Sequence, residues 1–342
     1  MALIINGVPT QARRTQPVII NGDMAVAQRS TSVTGHNSVA YTTVDRFKTV
    51  CEVGTYTVIQ ESLTSGNAYL AGFKNALRLD CTTAEGTAGS AGDQTTVEQR
   101  IEGFNLQAWR KGTASAQPFT LAFWVKSNKT GSNFQVNLRD NTNDRMVGGT
   151  YSISTTNTWE HKIINYPADT TGAFADANTA ELIIEWFLDG GSNYSGGAVP
   201  TAWEAKANGD RNVTNFDLAG STDNDWAITG VQLEVGTFSS TDIPPFQFEN
   251  FGDNQARCFR YYQDFDNFIM WTTALDGNTS DRLGGTITFP VRMRAEPSVS
   301  STNNTGTIDA NHTRISGYSV FATKSSRGTT TNLTDLEFDA EI

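Results

Sequence analysis

Three histidines, His36, His161 and His312, are the only imidazoles in 342 residues. They sit in Gly, Asn and Thr surroundings, with no HExxH or other pair at ligand spacing, so neither metal-assisted hydrolysis nor a His-based triad has support. No GxSxG occurs. Carboxylate pairs for glycoside cleavage assemble in space rather than in sequence, but the acidic residues concentrate in turns, and no enzymatic activity is expected. Asp140, Thr142 and Asp144 imitate the start of a calcium loop. Arg145 stands where that loop needs glycine and no glutamate closes the spacing, which leaves a hairpin turn. Asp45-Arg46, flanked by Val44 and Phe47, reads as a structural ion pair rather than a catalytic one.

The remaining chemistry lies with aromatic residues. Residues 189–224 are the longest stretch without strand character, and loops of that length in compact domains are usually functional or mobile. Tyr194 and Trp203 stand there among small polar residues. Displayed on a loop, they are candidates to stack on a sugar ring; the alternative is that they pin the loop to its own domain. Trp124 is a third candidate for an outer face, because Phe119, Leu121, Phe123 and Val125 alternate with Thr120, Ala122, Trp124 and Lys126.

Composition narrows the field. A net charge of −11, from 25 Lys and Arg against 36 Asp and Glu, opposes a nucleic-acid partner, because phosphate neutralisation needs clustered cations. Three cysteines without a CxxC argue against a disulfide framework or a zinc site. Cys51 and Cys81 fall in expected strands as small buried residues, which fits folding in a reducing cytoplasm. The longest apolar run, residues 182–188, is broken by Glu185 and is too short to span a bilayer. The first residues lack the basic-then-apolar order of a secretory signal, so no membrane insertion or export is expected.

The elements that must position these residues are strands. Short β-branched runs between Gly, Asn and Ser turns predict an all-β chain. In TAELIIEWFLDG, Leu182, Ile184, Trp186 and Leu188 share one face with Ile183 and Phe187 on the other, a strand buried on both sides or covered by a loop. The stretch Trp226–Gly236 reads as a strand closing a sheet, and Pro244-Pro245 marks a surface crossing. A short helix is expected over 253–262. Residues 1–22 are read as an N-terminal docking arm, 23–236 as a β-sandwich, 237–252 as a linker and 253–342 as a smaller antiparallel β domain. Strands are expected in the latter at 267–273, 285–293, 313–323 and 333–342.

The serial order NGDMAVAQRST, VDRF, LRLDCT, QRIEGFNLQAW, FTLAFWVKSN, TWEHKII, ELIIEWF, DWAITGVQLEVG, NQARCFRYYQ and ITFPVRMRAEPSV resembles structural proteins of tailed bacteriophages, notably tail fibres and fibre-like virion proteins. Residues 99–236 resemble a carbohydrate-binding-module-like jelly roll. The resemblance implies a β-sandwich followed by a smaller C-terminal β domain that forms a homotrimer. It also implies contact with other virion proteins through the arm, contact with host surface glycans, and a place on the virion after synthesis in the host cytoplasm. Such modules often hold a structural calcium, for which Asp225 and Glu234 are the nearest candidates, although no spacing here demands one. The alternatives are a capsid-decorating or tail-assembly protein with no receptor role, and a secreted carbohydrate-binding protein or depolymerase.

Overall fold

A computed structural model describes residues 4–5, 8–9, 16–85, 90–131, 133–214, 216–270, 282–304, 307–323 and 331–342. After a short pair, β1 (Ile4–Ile5) and β2 (Val8–Pro9), the chain builds β3 (Ser32–His36), β4 (Val39–Tyr41), β5 (Phe47–Cys51), β6 (Thr55–Ser62), helix α1 (Asn67–Leu70), β7 (Asn75–Thr83) and β8 (Gln94–Glu102). It continues with β9 (Phe119–Ser127), β10 (Asn133–Asp140), β11 (Arg145–Ser152), β12 (Glu160–Tyr166), β13 (Ala180–Gly190), β14 (Glu204–Ala205) and β15 (Asp225–Val235). Seven strands form one sheet in the order β14-β11-β10-β13-β8-β5-β4, and six form the facing sheet in the order β12-β9-β15-β7-β6-β3. The pairings are antiparallel, and those of β13 with β8 and β10 and of β15 with β7 and β9 join strands far apart in sequence, the crossed connectivity of a β-sandwich.

Alternation fixes the core. Phe119, Leu121, Phe123 and Val125 of β9 face Phe134, Val136 and Leu138 of β10 and Leu182, Ile184, Trp186 and Leu188 of β13, and all are buried in one cluster. Phe123 meets Trp186 edge-on at 5.7 Å, the geometry that opposes ring edge to ring face. Strand β13 is indeed buried on both sides: Phe187 on its outer face lies 5.3 Å from Tyr194. In β15 a register shift between Thr229 and Gln232 admits Gly230 at φ +62°. A Cβ there would stand 2.6 Å from Phe73, so only glycine lets this bulge lie beneath that ring. The three cysteines are free and buried, and burial raises their thiols.

The segment read as an arm behaves differently along its length. Val18 and Ile19 enter the sandwich core, and Ile20 packs with Val26, Cys258 and Tyr261. This part docks on its own chain, because three consecutive β-branched apolar residues find a core within reach.

Residues 237–250 cross the surface to α2 (Phe251–Phe259), two residues earlier than the expected start, where Asn254 donates to Asp23 at 3.1 Å. The C-terminal unit comprises β16 (Tyr262–Met270), β17 (Arg282–Thr288), β18 (Ser298–Asn304), β19 (Thr307–Arg314), β20 (Gly317–Thr323) and β21 (Thr331–Asp339). Two three-stranded sheets, β16-β21-β18 and β17-β20-β19, enclose Ile287, Phe289, Met293, Tyr318, Leu336 and Phe338. The strand expected over 313–323 is instead the end of β19, a turn at Ile315-Ser316 and all of β20. Gly317 lies against the Ile287 carbonyl, where a Cβ would come within 2.5 Å. The expected strand 267–273 is shifted to 262–270, with residues 271–273 outside the described set.

Ionic contacts join the two units. Arg46 is fully buried, ion-paired to Glu341, 3.5 Å from the Tyr261 ring, and donates to the Arg100 carbonyl at 2.7 Å. The sequence pairs Arg46 with its neighbour Asp45, but Asp45 instead accepts the Gln28 amide at 3.0 Å. Arg46 itself takes φ +71°, which turns adjacent side chains apart. Arg29 pairs with Asp339 at 3.0 Å, Arg260 with Glu102 at 2.8 Å, and the Tyr41 hydroxyl donates to the Ile342 carbonyl at 2.6 Å.

Candidate functional site

A cleft of about 300 Å³ opens on the outer face of the six-stranded sheet. Its walls are the end of β6 with Glu61 and Ser62, the turn Leu63–Gly66, Asn67 at the head of α1, Lys126 of β9, and Asn157–Trp159 before β12. Alternation along β9 that sends Phe123 and Val125 inward sends Trp124 and Lys126 outward. Lys126 Nζ lies 3.3 Å from both Glu61 oxygens and 5.3 Å from the Trp159 ring. Asn67 Nδ2 donates to the Trp159 carbonyl at 3.2 Å and ties the turn to the far wall. Gly66, at φ +90°, brings the turn so close that a Cβ would touch the indole at 3.1 Å.

The polar side chains of the rim are unspent. Ser62, Thr64, Ser65 and Asn157 are exposed and their side chains make no hydrogen bond among the described residues. Beside the cleft, Trp124 stacks on His161 at 5.0 Å and 26°. Phe73, Phe246 and Phe248 form a further aromatic group, with ring spacings of 4.8 to 5.1 Å. Hydroxyl and amide groups with free valences and one ion pair are suited to holding a polyol, while the Trp159 ring at their back is itself buried, at 5% exposure. Glu61 is the only carboxylate in the lining, and Lys126 holds it, so the pair of carboxylates that glycoside cleavage requires is not assembled here.

The residues singled out from the sequence lie elsewhere. Tyr194 and Trp203 are each 8% exposed, which corrects the reading of them as displayed platforms. The Tyr194 hydroxyl donates to the Gly92 carbonyl at 3.0 Å, with its ring beneath Arg211 at 4.8 Å. Trp203 Nε1 donates to the Pro167 carbonyl at 2.9 Å, and its ring lies 5.7 Å from Phe119. Both pin their loop to the sandwich, because each combines a large apolar area with one polar atom that a neighbouring carbonyl satisfies.

Asp225 and Glu234 do not meet either. Nine positions of one strand separate them, roughly 30 Å of extended chain. Asp225 is spent on Arg78 Nε at 2.9 Å and the Asn128 amide at 3.2 Å. The two do not fit a shared calcium, and among the described residues no group of three or more His, Cys, Asp and Glu side chains is placed to hold a metal ion. The calcium-like run at Asp140 is a hairpin turn: Asp140 accepts the Asn143 amide at 3.0 Å and buried Lys111 at 2.5 Å.

Sequence reasoning missed Glu61, Lys126, Asn157, Thr158 and Trp159. The alternation of β9 carried the signal for Lys126, but loop residues that converge from separate hairpins leave none.

No family model matches the sequence, and no curated protein matches it. Solved structures with a similar outline include the enzymatically active domain of bacteriophage CBA120 tailspike protein 4, at 12% identity and a TM-score of 0.31, covering 64% of this chain and 21% of that one. The chain thus spans about a fifth of the tailspike domain's length. The N-terminal cellulose-binding domain of Cellulomonas fimi β-1,4-glucanase C is 13% identical with a TM-score of 0.26, covering 63% of this chain and 100% of that domain. The CBM22-1 xylan-binding domain from Paenibacillus barcinonensis Xyn10C is 8% identical with a TM-score of 0.27, covering 63% and 100%. Likenesses this loose carry nothing about ligand or activity. Among the described residues, no helix is long and apolar enough to cross a membrane.

Proposed function

We propose that this chain is a non-catalytic glycan-binding protein whose ligand lies in the cleft between β6, β9 and the Asn157–Trp159 turn. The observation that carries the reading is the lining itself: exposed Ser62, Thr64, Ser65 and Asn157 have no hydrogen-bond partner among the described residues, beside Lys126, Glu61 and the Trp159 wall. Sugar hydroxyls donate and accept at once, and a rim of free hydroxyls and amides answers both needs.

The finer reading is a virion component, a tail fibre or receptor-binding protein of a tailed phage. Its support is the serial motif order from NGDMAVAQRST to ITFPVRMRAEPSV. In that setting a homotrimer bound to its virion neighbours presents several clefts, and simultaneous engagement offsets the weakness of each. A secreted carbohydrate-binding protein working outside any particle is the second reading, and it uses the same cleft.

Screening the purified protein on a glycan array, followed by calorimetry on the best neutral oligosaccharide, tests the cleft. Lys126→Ala and Asn157→Ala should each weaken binding by about tenfold, the worth of one or two hydrogen bonds to ligand. Binding untouched by both substitutions sinks the assignment. Adsorption of particles carrying the same variants separates a receptor role from a purely structural one.

A further inference from the structure

Lys111 is a cation closed off from solvent. Its side chain is 0% exposed, as is that of Asp140, and Asp169 beside them is 4% exposed. Lys111 lies in the turn before β9, Asp140 ends β10, and Asp169 lies beyond β12, so three separate segments bring the group together. Lys111 Nζ contacts Asp140 Oδ2 at 2.5 Å and Asp169 Oδ2 at 3.0 Å, and donates to the Thr171 and Gly172 carbonyls at 3.0 and 2.7 Å. The rings of Phe174 and Trp203 stand 5.1 and 5.0 Å from it. Two glycines let the loops close this tightly. A Cβ on Gly112, at φ +81°, would lie 2.4 Å from the Ala173 nitrogen, and one on Gly172, at φ +70°, 2.7 Å from the Asn143 side chain.

The second carboxylate, and the donors around the first, are what an amine needs to condense with a carboxyl group. Asp140 Oδ1 accepts the Asn143 backbone amide at 3.0 Å and the Asn143 Nδ2 at 3.1 Å, two donors aimed where negative charge grows when nitrogen attacks Cγ. Burial works against the charge of Asp169, but Arg145, the Thr171 amide and Lys111 hold its carboxyl below the usual range. It is therefore ionised at neutral pH and able to take a proton. Arg145 fixes it with two contacts, at 2.8 and 3.2 Å. Nucleophile, carboxyl carbon, oxyanion donors and base thus share one enclosed pocket.

We propose that Lys111 and Asp140 join in an intramolecular isopeptide bond, formed by the folded chain itself with Asp169 as proton carrier. The ammonium passes one proton to Asp140 Oδ2, which leaves a neutral amine facing a neutral carboxyl. The nitrogen lone pair attacks Cγ, and charge moves onto Oδ1. Asp169 removes a second proton from nitrogen and returns it to the Asp140 hydroxyl, which departs as water while the new C–N bond stays. The third proton remains on the amide nitrogen, and Asp169 ends as it began. The exchange removes two charges from an interior where replacing a buried ion pair by uncharged groups is often neutral or favourable. Exclusion of solvent opposes the reverse hydrolysis. The product ties the turn before β9 covalently to the end of β10.

Intact-mass spectrometry of the full chain under denaturing conditions tests the bond. The mass should be lower than that of the sequence by one water, and trypsin should release residues 111–126 joined to residues 140–145. Lys111→Ala and Asp140→Ala should each keep their full mass. Should either fail to fold, Asp169→Asn supplies a variant that keeps the reacting pair. After synthesis in a cell-free extract it should lose water at least about a hundredfold more slowly than the natural chain, the lower end of what a positioned proton carrier contributes. A folded natural chain at full sequence mass, a water loss that persists in Lys111→Ala, or Asp169→Asn reacting as fast as the natural chain would each overturn the proposal.

Discussion

Arg46 and Glu341 form a buried ion pair across 295 positions of chain. Arg46 immediately precedes β5 of the sandwich, and Glu341 follows β21 of the C-terminal unit. Burial raises the Glu341 carboxyl, and the charges of Arg46 and Arg29 oppose that effect. Taking Glu341 away leaves the Arg46 charge buried without its carboxylate, and taking Arg46 away leaves buried Glu341 with only Arg29, at 3.6 Å.

Arg46→Ala or Glu341→Ala should therefore each cost about 3–5 kcal/mol, while Arg46→Met combined with Glu341→Leu should cost less than either alone. Calorimetric melting of the three variants checks this. The single variants should also split the transition, with the C-terminal unit melting first; equal, unsplit melts would show that the pair does not couple the units.

Asp189 gives the alkaline side of the stability profile. Burial raises its carboxyl to about 7, and neighbouring Asp217 adds to the rise, against the Ala219 amide that donates to it at 2.7 Å. The folded state thus holds a proton that the unfolded chain releases near pH 4. Stability is full below that pH and declines as pH rises to about 7. Asp189→Asn should flatten that decline and melt higher than the natural chain at pH 8; parallel urea midpoints for the two from pH 4 to 8 would refute it.

Glu185 gives the acid side, with the opposite sign. Burial opposes its charge, but Arg139 and Arg211 hold its carboxyl down at about 2. Its contribution is present above the ordinary carboxylate range and is lost as pH falls from about 4.5 toward 2. Glu185→Gln should be destabilised by about 3–5 kcal/mol at pH 7, because Arg211 loses its carboxylate and Arg139 is left with Glu98 alone, and should show a shallower acid transition. Denaturation followed by Trp fluorescence between pH 2 and 7 measures both.

Gly66→Ala tests how the cleft is shaped. A left-handed backbone at φ +90° and a contact of 3.1 Å to the Trp159 ring should cost about 1–2 kcal/mol. The displaced indole should also weaken glycan binding. Loss of stability with unchanged affinity would remove Trp159 from the ligand's surroundings.

Tyr194→Phe and Trp203→Phe should each destabilise the sandwich by about 1 kcal/mol through a lost hydrogen bond to a backbone carbonyl, Trp203→Phe more through packing. Neither should change glycan affinity. Thermal melts and calorimetry on the same samples distinguish a loop anchor from a sugar platform.

The sandwich was legible wherever strand period and burial agree. Phe119–Val125 and Leu182–Leu188 face the core as their alternation demands, and the outward position of Trp124 follows from the same pattern. The helix after Pro245 was legible from the spacing of its residues, but it begins at Phe251 behind Asn250, whose side chain makes no cap hydrogen bond. What escaped depends on long-range convergence. Tyr194 and Trp203 look displayed because their loop is polar, and only the fold supplies the Gly92 and Pro167 carbonyls that claim them. Ser62 and Asn157 look like turn filler until β6 and β12 bring their turns to one cleft. In the C-terminal unit β18 is SVSSTNN, too polar to announce a strand that is held by backbone pairing to β21.

The placement of Glu341 beside Arg46 also decides how a pull on the molecule is borne. Strand β21 is flanked on both sides, by β16 and β18. Tension entering through it passes to β5 by way of Glu341 and Arg46 and bypasses the surface crossing at 237–250. The load falls on several hydrogen-bonded rows in shear, the direction in which a ladder yields last. The two β units would then bear traction as one mechanical element.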